Sequence, residues 1–152
     1  MRRASRHGLA NALFTVAAAE ALPCELDSKV SAVSIHFPWG SLLRAVVAPS
    51  PTVLDGIARV LAPGGTLTAL PSITTRDGAA PLSASSIDPA AYARSGLRVS
   101  EWRAAITAEV AGSDSSWAKR LGAGASRPVW LLTAVSPGSW QQKRAARRRP
   151  SS

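Results

Sequence analysis

The chain has 152 residues, of which 46% are hydrophobic, and it carries a formal net charge of +9. This is enough apolar material for one domain with a hydrophobic core, and it excludes a chain that is disordered throughout. The single cysteine excludes an internal disulfide, and with only two histidines a Cys/His metal site is not expected either.

Basic residues are concentrated at the two ends of the chain. The N-terminal group is Arg2, Arg3 and Arg6, and the C-terminal group is Lys143, Arg144, Arg147, Arg148 and Arg149. Such clusters favour a polyanionic partner such as RNA, although two solvated tails would have the same composition. No apolar run reaches the about 18 residues of a membrane-spanning helix. A lone thiol suits the reducing cytoplasm, where we expect the protein.

The first part of the chain alternates short strands and helices. Residues 13–16 predict a short buried strand, followed by a loop with one acid, Glu20. Residues 30–37 predict a second strand, and its apolar residues on both faces are typical of a central parallel strand. A helix is expected over residues 41–47, with Ser41 as its N-cap.

The segment TVLDGIARVLAPGG predicts a stronger helix. Its apolar residues share one helical face, namely Val53, Leu54, Ile57, Val60 and Leu61. The proline and two glycines at 63–65 are expected to end this helix. Residues 66–73 predict a third strand, with Pro71 at an edge or a bend. The order strand, helix, strand predicts parallel βαβ units in an α/β sheet.

The second part of the chain is less regular. Residues 75–88 predict a loop, and residues 88–95 predict a helix with Asp88 as N-cap and Pro89 in its first turn. Later elements are a strand or strand plus turn at 97–110, a loop entering a short helix at 113–121, and an apolar strand at 128–135. We expect residues 1–136 to form the domain and residues 137–152 a basic, disordered tail.

Two elements of nucleotide-binding α/β folds are absent from the sequence. No glycine-rich loop follows a first strand, and no acidic residue ends a second strand. Gly64 and Gly65 follow a helix and precede a strand, which is the wrong order for a phosphate-binding loop. A hydrolase is not supported, because there is no G-x-S-x-G motif and His36, inside an apolar strand, is expected to be packed in the core.

Tryptophan is the dominant aromatic residue, with five copies beside two phenylalanines and one tyrosine. Trp102 and Trp130 lie in apolar runs and are expected in the core. Trp39 and Trp117 lie at turn-to-helix junctions, and the cations that follow Trp117 are Lys119, Arg120 and Arg127. Rings beside cations suit base stacking with phosphate contact, and two rings could hold a base taken out of its helix. Packing is the alternative explanation for both rings.

Four segments occur together in this chain: NALFTVAAAE, HFPWGSLLR, LAPGG and SSWAKRL. Together they resemble the aminoglycoside-resistance methyltransferases that modify 16S rRNA at N(1) of adenine 1408, and most closely the kanamycin–apramycin resistance methylases of actinomycetes. The resemblance covers about residues 11–135. It implies a Rossmann-like α/β fold and an enzyme that uses S-adenosyl-L-methionine on the 30S ribosomal subunit. We expect a monomer that needs no metal and no membrane.

The resemblance also implies roles for individual residues. Cofactor binding would involve Ala19, Glu20, His36, Phe37, Pro38, Trp39, Gly40, Ser41, Ser115, Ser116 and Trp117. Trp39 and Trp117 would stack on the target adenine, and no acid or base is assigned, since N(1) of an unpaired adenine has a free lone pair. The residues expected to face the rRNA are Lys119, Arg120 and Arg127. The family has further basic residues where this chain has Ala125 and Ser126.

The resemblance is weakest at the front of the chain. Family members begin with a glycine-containing loop after the first strand and an acidic residue at the end of the second, and this chain starts after both. We therefore expect a partial sequence, with a Rossmann-like fold that lacks its first strands. One alternative is a non-catalytic RNA-binding remnant of such an enzyme. Another is a generic basic α/β domain whose tryptophans are all structural.

Overall fold

The structure is a computed structural model that describes residues 2–3, 11–75, 80–123 and 127–137. Strands and helices alternate through most of it. The strands are β1 (Arg2–Arg3), β2 (Leu13–Phe14), β3 (Val30–His36), β4 (Leu61–Leu70), β5 (Arg98–Ala104) and β6 (Trp130–Val135). The helices are α1 (Gly40–Val47), α2 (Pro51–Val60), α3 (Pro89–Arg94), α4 (Thr107–Gly112) and α5 (Ser116–Leu121). Single 3-10 turns lie at Ala19–Ala21 and Cys24–Leu26.

A four-stranded sheet with the order β3-β4-β6-β5 forms the centre of the fold. β3 and β4 are parallel, and their last pair is His36 opposite Leu70. β6 is antiparallel to both β4 and β5. The predicted α/β sheet with a parallel βαβ unit is thereby confirmed. The carboxyl ends of β3 and β4 lie side by side at one end of the sheet, which is where open α/β sheets bind ligands.

β3 is an edge strand of this sheet, so the prediction of a central strand is wrong for the described residues. Val33 and Ile35 pack, partly buried, against a core that includes residues of α1 and α2, whereas Ser34 and His36 are exposed. His36 is therefore not the packed core histidine that its apolar neighbours predicted. The physical reason is that these helices cover one face of β3, and no other described element covers its second face.

The boundary between α2 and β4 differs from the prediction. α2 ends at Val60, and the next residue, Leu61, already has extended backbone and pairs with Val30 of β3. The proline and glycines that were expected to end the helix therefore lie inside β4, beside a shift in its register with β3. Gly64, with φ +77°, donates to the Ser136 carbonyl, and Ser136 donates to the Gly65 carbonyl. Gly64 and Gly65 thus form part of a bulge within β4.

The helix starts were predicted with mixed success. α1 begins at Gly40 with Trp39 at the N-cap position and no side-chain capping hydrogen bond, so Ser41 is not its N-cap. Asp88 caps α3 as predicted, because its carboxylate accepts from the Ala90 backbone N–H at 2.9 Å. The ambiguous stretch 97–110 resolves into β5 and the start of α4, and the predicted short helix and last strand are α5 and β6.

The predicted buried strand at residues 13–16 is short and exposed. β2 pairs only with β1, in an antiparallel ladder separate from the main sheet. Leu13, Phe14 and Val16 are 57%, 64% and 104% exposed. Their burial was predicted from hydrophobicity alone, and no layer among the described residues covers them. None of the described helices is long and apolar enough to span a bilayer.

The tryptophans that were expected in the core form a half-buried pair. The rings of Trp102 and Trp130 stack with their centroids 4.8 Å apart. Trp102 also donates its indole N–H to the Ser83 carbonyl at 2.8 Å, and so attaches the loop after β4 to β5. An indole has a polar edge that needs a partner, which explains why the pair lies at the rim of the core.

Tyr92 is the largest fully buried side chain between the helices and the sheet. Its hydroxyl donates to the Val46 carbonyl of α1 at 2.6 Å and so joins α3 to α1. Burial raises the pKa of the Tyr92 hydroxyl above its ordinary value of 10.0, because a phenolate would be poorly solvated there.

The Tyr92→Phe variant is expected to be less stable than the wild type by about 1–3 kcal/mol at neutral pH, since the Val46 carbonyl loses its partner. The difference in free energy of unfolding between the two proteins should narrow above pH 10. There the unfolded tyrosine ionises and the folded one does not, so the wild type loses stability by up to about 1.4 kcal/mol per pH unit. Urea unfolding of both chains from pH 8 to pH 11 measures this, and a constant gap would contradict it.

Candidate functional site

A cleft of about 750 Å³ opens where β3 and β4 end. One wall is the start and one face of α1, formed by Pro38, Trp39, Gly40, Leu43, Arg44, Val47 and Ala48. The facing residues come from the segment between β4 and α3 and from the segment before β6: Ser72, Ile73, Ala80, Pro81, Leu82, Ser86 and Arg127. We call this the Trp39 cleft. Its volume is in the range of small-molecule sites.

The HFPWG corner positions Trp39 at the mouth of the cleft. Phe37 has φ +49°, a left-handed conformation that is unusual for a side chain of this size, and it donates its backbone N–H to the Leu70 carbonyl at 3.0 Å. Phe37 and Pro38 are buried by this turn, while the Trp39 ring is 83% exposed. Strained backbone of this kind is typical of functional sites.

A buried cluster connects the HFPWG corner to α4 and to α5, the helix that carries the second predicted ring. Phe37, Val110 of α4 and Ala118 of α5 belong to it, together with Leu70 of β4. This cluster fixes the start of α5 relative to the corner that presents Trp39. The two segments singled out in the sequence, HFPWG and SSWAKRL, are therefore brought together by packing.

The segment before α5 also has a left-handed corner. Asp114 has φ +48°, and the Ser115 hydroxyl then caps α5 by accepting from the Ala118 N–H at 3.4 Å. Trp117 is in α5, but its side chain lies outside the described part of the structure. Lys119 and Arg120 are exposed on this helix. Ala125 and Ser126 lie outside the described residues.

Arg127 joins the ends of two strands at the far wall of the cleft. Its Nε donates to the Ser72 hydroxyl at 2.9 Å, and its Nη2 donates to the Ser72 carbonyl at 3.2 Å. The Ser72 hydroxyl in turn donates to the Pro128 carbonyl. The guanidinium is thus held half-buried at the cleft wall, where two protein oxygens orient it.

The charge on the described part of the cleft wall has a single sign. The only charged side chains among the described lining residues are those of Arg44 and Arg127, and the rest are apolar or neutral. An apolar floor with guanidinium groups and an exposed indole suits a ligand with a flat ring and a negative charge.

The turn that carries Ala19 and Glu20 packs on α2, away from the lining of the Trp39 cleft. The Ala19 carbonyl approaches Gly56 so closely that a Cβ on Gly56 would overlap it. Arg59 of α2 donates to the Leu22 carbonyl at 2.6 Å and forms an ion pair with Asp27. The AAAE segment is therefore held in place by α2, with the Glu20 side chain exposed.

The Gly56→Ala variant is expected to be about 1–3 kcal/mol less stable than the wild type, because the turn at Ala19 must move to admit the methyl group. This cost exceeds the gain of about 1 kcal/mol from the better helix propensity of alanine. Gly112→Ala is the matched control, since a Cβ on Gly112 would meet nothing within 4 Å. Urea unfolding compares the two variants, and equal stabilities would contradict the prediction.

The structure brings together part of the predicted site. Pro38, Trp39, Gly40 and Arg127 line the cleft. Several predicted residues do not line it: Ala19, Glu20, His36, Phe37, Ser41, Ser115, Ser116, Lys119 and Arg120. The other lining residues were missed, among them Arg44 and Ser72. Ser72 directly follows Pro71 at the end of a parallel strand, and that position was the available signal.

The chain matches known proteins along most of its length. The family model described as "NpmA: 16S rRNA (adenine(1408)-N(1))-methyltransferase" matches residues 1–136. A relative from Streptoalloteichus tenebrarius, named 16S rRNA (adenine(1408)-N(1))-methyltransferase, is 36% identical over 145 residues. That match covers 88% of this chain and 66% of the relative.

Solved structures share the fold. The aminoglycoside resistance methyltransferase NpmB1 is 35% identical with a TM-score of 0.65, over 85% of this chain and 63% of that chain. A mutant 16S rRNA (adenine(1408)-N(1))-methyltransferase from Catenulisporales acidiphilia, with cosubstrate SAM, is 29% identical with a TM-score of 0.68, over 79% of this chain and 59% of that chain. The chain thus spans less than two thirds of these relatives. The Rossmann-like α/β fold is confirmed.

Proposed function

The chain belongs to the 16S rRNA (adenine(1408)-N(1))-methyltransferase family, and on this premise we propose that it methylates N(1) of adenine 1408 in the 30S subunit with S-adenosyl-L-methionine as donor. The observation that carries the proposal is the 83% exposed Trp39 ring at the mouth of a cleft beyond the carboxyl ends of β3 and β4. An exposed indole at that position is available for stacking on a base.

Base stacking explains the geometry of the HFPWG corner. A base must leave its helix before an enzyme can reach N(1), and an aromatic platform offsets part of the cost of unstacking. Phe37 and Pro38 anchor the corner in the protein and leave the Trp39 ring outside. We assign Trp117 as the second platform, since α5 is packed against the same buried cluster through Ala118.

Alignment and electrostatics carry the proposed reaction. When bound, the cofactor supplies a methyl group on a positively charged sulfur, which the lone pair of adenine N(1) can accept without prior loss of a proton. The chain therefore needs to hold the base at the right distance and angle to the methyl group. Positioning of this kind gives a large increase in the rate of a bimolecular reaction. The methylated ring is cationic, and the Trp39 face stabilises that charge through a cation–π interaction. No acid or base is assigned.

The residues present fit the cofactor along the exit of β3. Gly40 has φ +59°, and a Cβ there would meet nothing within 4 Å, so the backbone is open to a ligand at this point. His36, at the end of β3, is exposed rather than packed, and Pro38 lines the cleft with an apolar ring. We propose that residues 36–41 border the cofactor, with Ala19, Glu20, Ser115, Ser116 and Trp117 as further contacts implied by the family resemblance.

Three cations extend the proposed RNA surface from the far wall of the cleft to α5. Lys119 and Arg120 lie exposed on α5, and Arg127 lines the far wall. We propose that all three face rRNA phosphates, because such contacts position a protein on its nucleic acid. Methylation would add bulk and charge to a base edge that aminoglycosides contact, and so confer resistance to kanamycin and apramycin.

The family match ends at residue 136, which supports a methyltransferase domain over residues 1–136. Apart from Pro137, the predicted basic tail at 137–152 lies outside the described residues. We propose that the chain acts as a monomer on ribosomes in the cytoplasm.

Calorimetric titration with S-adenosylmethionine tests the cofactor part of this proposal. We expect binding by the folded chain, together with transfer of a labelled methyl group to 30S but not to 50S subunits. The rival hypothesis, an RNA-binding remnant without a cofactor pocket, predicts RNA binding with no heat of cofactor binding. Folded protein that binds RNA but not S-adenosylmethionine would establish the rival.

A further inference from the structure

One face of α1 forms a continuous wall of the Trp39 cleft. The lining positions are paired at 39–40, 43–44 and 47–48, which is the spacing of one helical face. Arg44 is the only charged residue on this face. Its side chain is exposed, and it lies just over one turn after Trp39, the residue at the N-cap position of the helix.

Arg44 has no charge partner among the described residues. The ion pairs there join Arg59 to Asp27, Arg94 to Asp88, and Arg103 to Glu101 and Glu109. Among the described residues, no acidic side chain lines the cleft beside it. Arginine retains its charge at all relevant pH values, and its planar fork matches the oxygens of a phosphate. The cleft wall thus presents both a cation and an exposed indole.

We propose that Arg44 binds a backbone phosphate next to the base that stacks on Trp39. The start of α1 would then contact the base, and its cleft-lining face would contact the phosphate. The proposal rests on the function proposed above. It adds a phosphate contact from α1 to the phosphate contacts already proposed for α5 and Arg127. A phosphodiester is favoured over a free anion, because the neighbouring indole and apolar floor suit a base attached to that phosphate.

The salt dependence of RNA binding tests this inference without requiring catalysis. The probe is a short, fluorescein-labelled single-stranded RNA, titrated with the full chain at several salt concentrations. For Arg44→Gln we expect about fivefold weaker binding at low salt and a salt slope smaller by about 0.7, the value for one lost phosphate contact. Arg44→Lys should retain the slope, since the charge is kept.

Arg98→Gln is the matched control. Arg98 is also exposed and outside every ion pair of the described residues, but it starts β5, three strands from β3 and at the opposite end of the sheet from the cleft. Its loss should change neither affinity nor slope. Thermal unfolding should show that both glutamine variants are folded, since both arginines are exposed.

The outcomes separate this inference from the proposed function. If the wild type methylates 30S subunits and Arg44→Gln shows the same slope as Arg98→Gln, the Arg44 contact is overturned and the function stands. If the wild type binds RNA without methylating it and Arg44→Gln still shows the smaller salt slope, the Arg44 contact stands and the function fails. Absence of RNA binding by the folded wild type would overturn the contact.

Discussion

Trp39→Ala is expected to lower the rate of methyl transfer to 30S subunits by at least about 100-fold while the chain stays folded. Stacking of a base on an aromatic ring contributes about 1–3 kcal/mol, and misplacing the reacting atoms by about 1 Å costs a further factor of about 10². The ring is 83% exposed, so its removal should change the free energy of unfolding by no more than about 0.5 kcal/mol. Initial rates and thermal unfolding measure the two effects.

Trp102→Ala is the matched tryptophan control. Trp102 stacks on Trp130 and donates to the Ser83 carbonyl, so its loss should destabilise the fold by about 3 kcal/mol. Trp39→Phe should retain most of the activity, because a smaller ring still offers a stacking face. If Trp39→Ala instead unfolds like Trp102→Ala, and its folded fraction remains active, the ring is structural and its proposed stacking role is contradicted.

Phe37→Ala is expected to destabilise the protein by about 3–5 kcal/mol, the usual cost of truncating a buried phenylalanine. The ring is 8% exposed and belongs to the cluster that joins the corner after β3 to α4 and α5. Such a loss is a large part of the 5–15 kcal/mol that typically stabilises a domain. Urea unfolding followed by circular dichroism gives the value.

Two further variants at this position separate the ring from the backbone. Phe37→Leu should cost less than about 2 kcal/mol, because most of the buried volume is kept. Phe37→Gly loses the ring but relieves the left-handed backbone at φ +49°, so it should be no less stable than Phe37→Ala. A Phe37→Ala variant within about 1 kcal/mol of the wild type would show that the cluster does not hold the corner in place.

Local patterns predicted the elements that local chemistry determines. The apolar face of α2, the Asp88–Pro89 start of α3 and the apolar run of β6 all carry their signal within a few residues. The end of α2 was mispredicted because Pro63 and the two glycines after it are equally compatible with a helix stop and with a bulged strand. Pairing with β3 and Ser136 decides between them, and such pairing is non-local.

The candidate site was partly predictable for the same reason. Exposure of Trp39 follows from a tight corner at a strand end, which the HFPWG pattern indicates. The Ser72–Arg127 contact joins residues 55 positions apart, so no sequence window contains both. Arg44 lies on a helix face whose exposure depends on which elements cover α1. The exposed edge of β3, including His36, likewise depends on its neighbours in space.

The most direct measurement is primer extension on 16S rRNA from 30S subunits incubated with the purified chain and S-adenosylmethionine. Methylation at N(1) blocks the pairing edge of adenine and stops reverse transcription. We predict a cofactor-dependent stop at adenine 1408 that is lost with Trp39→Ala and retained with Arg98→Gln. Folded chain that binds 30S subunits but produces no stop at adenine 1408 would contradict the account.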